Sequence, residues 1–219
     1  MWWLLGLIEL QLQYHWRVRA IQPSIQLQII AAVNTRPIDT ETTRVWTTQG
    51  GKVVRLRPIA PTDAGRLAAF AHGLSFGTRY FRFGHGDIRF SEEEIARLCD
   101  PDPAVCRHFI VVTDEDGAEI PIASGRFYIQ ADGDSCEMAI VVADAWQGSR
   151  VAHRLMTTLI QSARDCGLKR MYVQVLATNT RMLNFARRHG FAVTQGSDDA
   201  AIKVLSLLLD ETNHAGAGT

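Results

Sequence analysis

The 219-residue chain has no excess of charge of either sign: lysine plus arginine and aspartate plus glutamate both number 23. Without a net positive field, sequence-independent attraction to a phosphate backbone has no source, so nucleic acid is not an expected partner. Cysteine is scarce. The four present, Cys99, Cys106, Cys136 and Cys166, form no C-x-x-C pair and no His/Cys cluster at zinc spacing, which argues against a metal site and against a disulfide framework. They read as reduced thiols, some of them small buried apolar residues. Long apolar runs are missing as well. The opening MWWLLGLIEL is broken by Glu9 and stops well short of the ~20 residues that span a bilayer. It has no basic stretch before it and no small-residue cleavage site after it, so neither a membrane span nor a secretory signal is expected, and the cytoplasm is the expected location. No internal repeat or low-complexity segment is present.

What the chain does contain is a long succession of strand and helix patterns after Gly50-Gly51, which is taken as a domain boundary. Residues 1–49 are expected to be a poorly ordered or loosely docked extension. The alternative for them is a membrane-surface or partner-binding helix led by Trp2 and Trp3. Residues 50–210 form the expected domain and 211–219 a flexible tail. KVVRLRPI alternates as a half-buried strand ended by Pro58, and Pro61-Thr62-Asp63 starts a helix carrying Leu67, Phe70, Ala71 and Leu74. Ser91 and Glu94 have capping-box spacing for a helix over Ser91 to Leu98. Strands follow at His108–Thr113, Ile120–Ile129 and Cys136–Val142, joined by Asp114-Glu-Asp-Gly117 and Ala131-Asp-Gly-Asp134, whose residues suit hairpin turns. The rest reads as a helix closed by Gly167, a strand at Met171–Leu176, a helix at Thr180–Arg188 and strands near Phe191–Thr194 and Ala201–Leu208.

The junction after the third of the central strands is the most specific feature. Val151, Leu155, Leu159, Ile160 and Ala163 make one stripe of a 3.6-residue period, while Arg150, Arg154 and Arg164 fall away from it. A helix starting near 147–150 has free backbone N–H groups and the positive end of its dipole facing the loop, which suits a pyrophosphate.

Gln147-Gly-Ser-Arg-Val-Ala152 resembles the Q/R-x-x-G-x-G/A loop of the GNAT superfamily of acetyl-CoA-dependent N-acetyltransferases, with Arg150 where that family has glycine. The order of elements over 52–210 resembles the same fold: an α/β (α+β) domain with a central mixed, mostly antiparallel sheet of about seven strands flanked by four helices. The resemblance implies acetyl-CoA as co-substrate, with Ile140, Val141 and Val142 pairing with the pantetheine amides and Gln147, Gly148, Ser149, Arg150, Val151, Ala152 and His153 around the pyrophosphate. Asn179 matches an asparagine that bonds the cofactor arm in such enzymes; as a residue it equally suits a helix N-cap.

Glu137 is the catalytic candidate. An attacking lysine amine has an ordinary pKa of ~10.4 and must lose a proton. Bacterial protein-lysine acetyltransferases of this superfamily (Pat-like) carry a glutamate at the matching strand position, and alternation with Ala139 and Val141 places Glu137 on a partly buried face. A solvated strand glutamate is the alternative. Ala186 stands where many relatives have the tyrosine that protonates the leaving thiolate. SFGTRYFRFGHG resembles a stretch of the protein-lysine acetyltransferases, which implies substrate-binding roles for Arg79, Tyr80, Arg82 and Phe83. The same aromatics and arginines could equally pack on the sheet. The expected activity is acetyl transfer to a primary amine, foremost a protein lysine, by direct attack in a ternary complex. The alternatives are a small-amine acetyltransferase and a non-catalytic acyl-CoA-binding or sensing module with a degenerate pyrophosphate loop.

Overall fold

In the computed structural model, residues 43–84, 87, 90–194 and 200–209 are described; the expected tail and all but the end of the expected extension, Trp2 and Trp3 included, lie outside them. The described chain builds one eight-stranded sheet. Its strands are β1 (Arg44–Thr47), β2 (Val53–Pro58), β3 (Cys106–Glu115), β4 (Ala118–Ile129), β5 (Ser135–Val142), β6 (Arg170–Leu176), β7 (Ala192–Val193) and β8 (Ile202–Leu208). Its helices are α1 (Ala64–Gly73), α2 (Phe76–Phe83), α3 (Glu92–Cys99), α4 (Val151–Asp165) and α5 (Thr180–Arg188). The spatial order is β1-β2-β3-β4-β5-β6-β8-β7. Every neighbouring pair is antiparallel except β5 with β6.

Two counts differ from the sequence reading: eight strands instead of about seven, and five helices instead of four. The extra strand is β1, which pairs with β2 in the register Trp46 to Val54. Gly50-Gly51 lies in the turn of this hairpin: Gly51 takes φ 76° and its N–H donates to the Thr48 carbonyl at 3.0 Å. Trp46 packs on the core and receives the Arg154 guanidinium 4.9 Å from its ring. The extra helix is α2, capped by Ser75, whose Oγ accepts from Thr78 N–H, and closed by Gly84 at φ 83°.

Other local expectations hold. Ser91 and Glu94 form the reciprocal capping box of α3, and Asp116 and Gly117 take φ 55° and 80° in the β3–β4 turn, the pair of left-handed residues that a twisted two-residue hairpin favours.

The sheet separates two apolar layers. On one face, Leu155, Met156 and Leu159 of α4 and Leu183 and Ala186 of α5 pack on Phe109, Phe127, Met138 and Met171. Gly125 of β4 admits this close approach, because a Cβ there would lie 3.0 Å from both Leu155 and Leu159. On the other face, Leu67 and Phe70 of α1, Leu74 just after it and Ile95 and Cys99 of α3 cover Ile110 and Val112.

Candidate active site

The parallel contact between β5 and β6 is short. Ser135, Cys136 and Glu137 pair with Arg170, Met171 and Tyr172, and the pairing ends there. Beyond Glu137 the two strands part, which leaves the Met138–Val142 edge of β5 without strand partners on its β6 side. An extended chain with amides can add to such an edge. Ile140, Val141 and Val142 lie along it.

At the far end of β5 a 3-10 turn over Asp144–Trp146 leads into the loop before α4. Gly148 takes φ 86° and has open space where a side chain would project. Arg150 is the N-cap of α4 and takes φ 65°, the left-handed conformation expected of the glycine it replaces. Its carbonyl accepts from Arg154 N–H at 3.2 Å. The N–H groups of Val151, Ala152 and His153 form the first turn of the 15-residue α4 and have no acceptor within the helix. A pyrophosphate fits this end.

The loop side chains are committed to different tasks. The Ser149 hydroxyl donates to the Trp146 carbonyl. Gln147 Nε2 donates to Thr78 Oγ1 and the Val142 carbonyl, both at 3.3 Å, and its Oε1 accepts from Arg181 Nη1. Only the backbone of Gln147 is thereby left for a ligand. His153 Nδ1 lies 2.9 Å from His189 Nε2, and His189 Nδ1 lies 2.9 Å from the Phe185 carbonyl. A carbonyl only accepts, so His189 Nδ1 carries its proton and Nε2 accepts from His153. Burial lowers the His189 pKa, the Phe185 carbonyl opposes this and His153 adds to it. Asn179 Oδ1 accepts from Met182 N–H at 3.0 Å, so the residue is the N-cap of α5.

Glu137 sits where the strands part. Burial raises its pKa above the ordinary 4.5, while Arg82, a hydrogen bond from Gln174 and Arg126 pull it back less strongly. Gln174 Nε2 donates to Glu137 Oε1 at 3.3 Å. Tyr128 and Tyr172 are its cross-strand neighbours. Gln174 and Arg126 were missed in the sequence; aligning β5 and β6 in parallel from Cys136 and Met171 would have exposed the first. Cys136, the adjacent residue, is fully buried and burial drives its thiol pKa far upward. It is no thiolate nucleophile.

Helix α2 lies beside β5. Ser75 N–H, Ser75 Oγ and Thr78 Oγ1 donate to the Asp144 carboxylate at 2.9, 2.8 and 2.7 Å. The helix is thus fastened to the turn that begins the pyrophosphate loop. The four expected substrate residues separate here. Arg79 donates to the His72 and Leu74 carbonyls at 3.1 and 2.7 Å, closing the end of α1. Phe83 packs edge-on against Phe90 at 5.5 Å. These two hold α2 in place. Tyr80 is exposed and stacks on Phe76. Arg82 alone turns toward the site: the residue is half-buried, and its Nε is sealed from solvent with no hydrogen-bond acceptor. Burial and the nearby Arg126 lower its pKa to about 9 against the opposing influence of Tyr128 and Glu137.

Among the described residues, no three His, Cys, Asp or Glu side chains converge on a metal-sized space, and no described helix is long and apolar enough to cross a membrane.

The family model described as the acetyltransferase (GNAT) family matches residues 75–191. An acetyltransferase of Pseudomonas aeruginosa is 31% identical over 160 residues, which cover 73% of this chain and 86% of that protein. The crystal structure of the GNAT domain of S. lividans PAT superposes with a TM-score of 0.69 at 26% identity, over 79% of this chain and 99% of that one. An acetyltransferase structure from Salmonella typhimurium, solved with its cofactor acetyl-CoA, shares the fold at a TM-score of 0.56 and 17% identity, over 75% of this chain and 99% of that one.

Proposed function

The chain belongs to the GNAT family of acetyltransferases, and from that premise we propose that it transfers the acetyl group of acetyl-CoA to a primary amine, foremost a protein lysine, within a ternary complex. The observation that carries the reading is Glu137, a carboxylate with a raised pKa at the point where β5 and β6 separate.

In this reading the open edge at Ile140–Val142 receives the pantetheine amides. The backbone of Gln147–His153 surrounds the pyrophosphate, with the Arg150 side chain adding charge to it. Asn179, whose Oδ1 caps α5, has its amide NH2 to offer the cofactor arm. The acceptor enters beside α2. Glu137 takes a proton from the attacking amine, directly or through one water. The new C–N bond forms as the C–S bond breaks, and the CoA sulfur leaves as a thiolate or takes a proton from solvent. No enzyme acyl group is needed, which agrees with the buried, high-pKa thiol of Cys136. The likeness of Thr78-Arg-Tyr-Phe-Arg-Phe83 to the protein-lysine acetyltransferases favours a protein acceptor.

The test is calorimetric titration with acetyl-CoA on the wild type and Glu137→Gln, paired with turnover on lysine peptides. Binding to both, with turnover lost only in the variant, is expected. Acetyl-CoA that fails to bind the wild type would instead identify Arg150 as a block in the loop and the domain as a decayed or sensing module.

A further inference from the structure

Resting on that acetyltransferase reading, the geometry points to an acceptor that carries a carboxylate close to its reactive amine, with Arg82 as the residue that recognises it. A small pocket lies between the end of α2 and β6, walled by Phe81, Arg82, Gly84, Gln174, Leu176 and Ile202. None of these walls is acidic. Gln174 lines the pocket and donates to Glu137 at 3.3 Å, which puts the catalytic candidate one side chain away from it.

Arg82 makes no ion pair within 4.0 Å among the described residues, and its buried Nε has no acceptor. The guanidinium lies 4.8 Å over the Phe83 ring, but a ring face gives Nε no hydrogen-bond acceptor, and a buried N–H without one is costly. Arg126, whose guanidinium lies 5.5 Å from the Tyr128 ring, acts on Arg82 through space. Glu137 is close enough to act on Arg82 through space, but as the base it must itself accept the amine proton. The pocket therefore presents a guanidinium that one more anion could pair. A planar carboxylate suits a guanidinium, since two parallel N–H···O bonds fix its orientation as well as its position. An ammonium entering beside Glu137 with its carboxylate at Arg82 would be aligned before the proton is removed. Two sources share this chemistry: the carboxylate of a free amino acid, or an acidic side chain next to the target lysine of a peptide.

Matched acceptor pairs separate them. One arm compares an amino acid with its carboxamide; the other compares peptides in which the lysine is flanked by glutamate or by glutamine. The expected result is a preference in kcat/KM of about tenfold or more for the carboxylate member in one arm, which identifies the source. That preference should collapse in Arg82→Gln and partly return in Arg82→Lys. Equal rates in both arms, or an Arg82→Gln loss shared equally by charged and neutral acceptors, overturns the proposal. The N-acetylated products of the same pairs, titrated into the protein with CoA, read the preference without chemistry. Discrimination there in a protein that acetylates none of the amines would sink the transferase reading and leave the anion pocket standing; no discrimination would sink the pocket whatever the turnover.

Discussion

Arg150 occupies a left-handed position, φ 65°, that disfavours a side-chain-bearing residue by roughly 1–2 kcal/mol. Arg150→Gly relieves that strain but frees the unfolded chain by about 0.4–1 kcal/mol, so a net gain in stability of about 0.5–1 kcal/mol is expected in denaturant titration. Acetyl-CoA affinity should fall about tenfold in the same variant, the measure of one lost charge-assisted bond. Tighter binding would mark the arginine as an obstruction. For Glu137 the sign of the pH dependence follows from its surroundings. A base works ionised, so kcat/KM falls as pH drops through its pKa, and burial places that acid limb above the ordinary value of 4.5. Arg82 is the foremost influence holding the pKa down. Arg82→Gln should move the limb to higher pH, and Glu137→Gln should remove it with a loss of about 10²- to 10⁴-fold. A limb that stays in place in Arg82→Gln belongs to another group.

Helix α2 has no buried residue, so its position depends on end contacts more than on a packed face. Its N-terminus hangs on Asp144 through three hydrogen bonds, and Asp144 stays below the ordinary carboxylate range because these donors outweigh the opposing effect of burial. Asp144→Ala is expected to raise the acceptor KM several-fold while costing only about 0.5–1.5 kcal/mol per bond lost. Unchanged acceptor KM with weakened acetyl-CoA binding would place the residue's role in the loop instead. The same lack of burial explains why α2 was not read from the sequence. Phe76, Tyr80 and Phe83 have the i, i+4, i+7 spacing of a helix, but Phe76 is 61% exposed and the aromatic-rich stretch with Gly77 suggests a loop. The α3 capping box and the Asn179 cap were legible because each is a local exchange between side chain and backbone. The β5–α4 junction was legible because a period of two changes there to one of 3.6. Nothing local announces that Gln147 is spent on Thr78 and Arg181, or that Arg82 and Gln174 meet Glu137. Those contacts come from sequence separations that only the folded sheet closes.

At the scale of the molecule, the sheet is held at its centre by a short seam: three residue pairs join β1–β5 to β6–β8, and α4 packs across β3, β4 and β5 behind them. In the proposed reading acetyl-CoA enters at the open end of this seam, so stability has to be supplied away from it. One source is the network between β2, α1 and β4. Asp63 is fully buried and accepts from Arg57 at 2.7 and 2.8 Å and from Ala60 N–H at 2.9 Å, while Arg57 also reaches Glu119 at 2.7 Å. Burial would raise the Asp63 pKa, but Arg57, Ala60 and Arg66 outweigh it and hold it below 3.8. The stabilisation it brings is therefore complete above pH ~4, its unfolded range, and is lost as pH falls through the lower folded value. Removing one partner of a buried pair strands the other charge. Asp63→Ala should accordingly cost about 3–5 kcal/mol, whereas Glu119→Gln, at a partly exposed position, should cost about 1 kcal/mol or less. Thermal melts at pH 7 compare the two, and acetyl-CoA affinity of the folded fraction should be unchanged in both. Equal losses in the two variants would mean that Arg57, shared between them, draws its value from the exposed carboxylate as much as from the buried one.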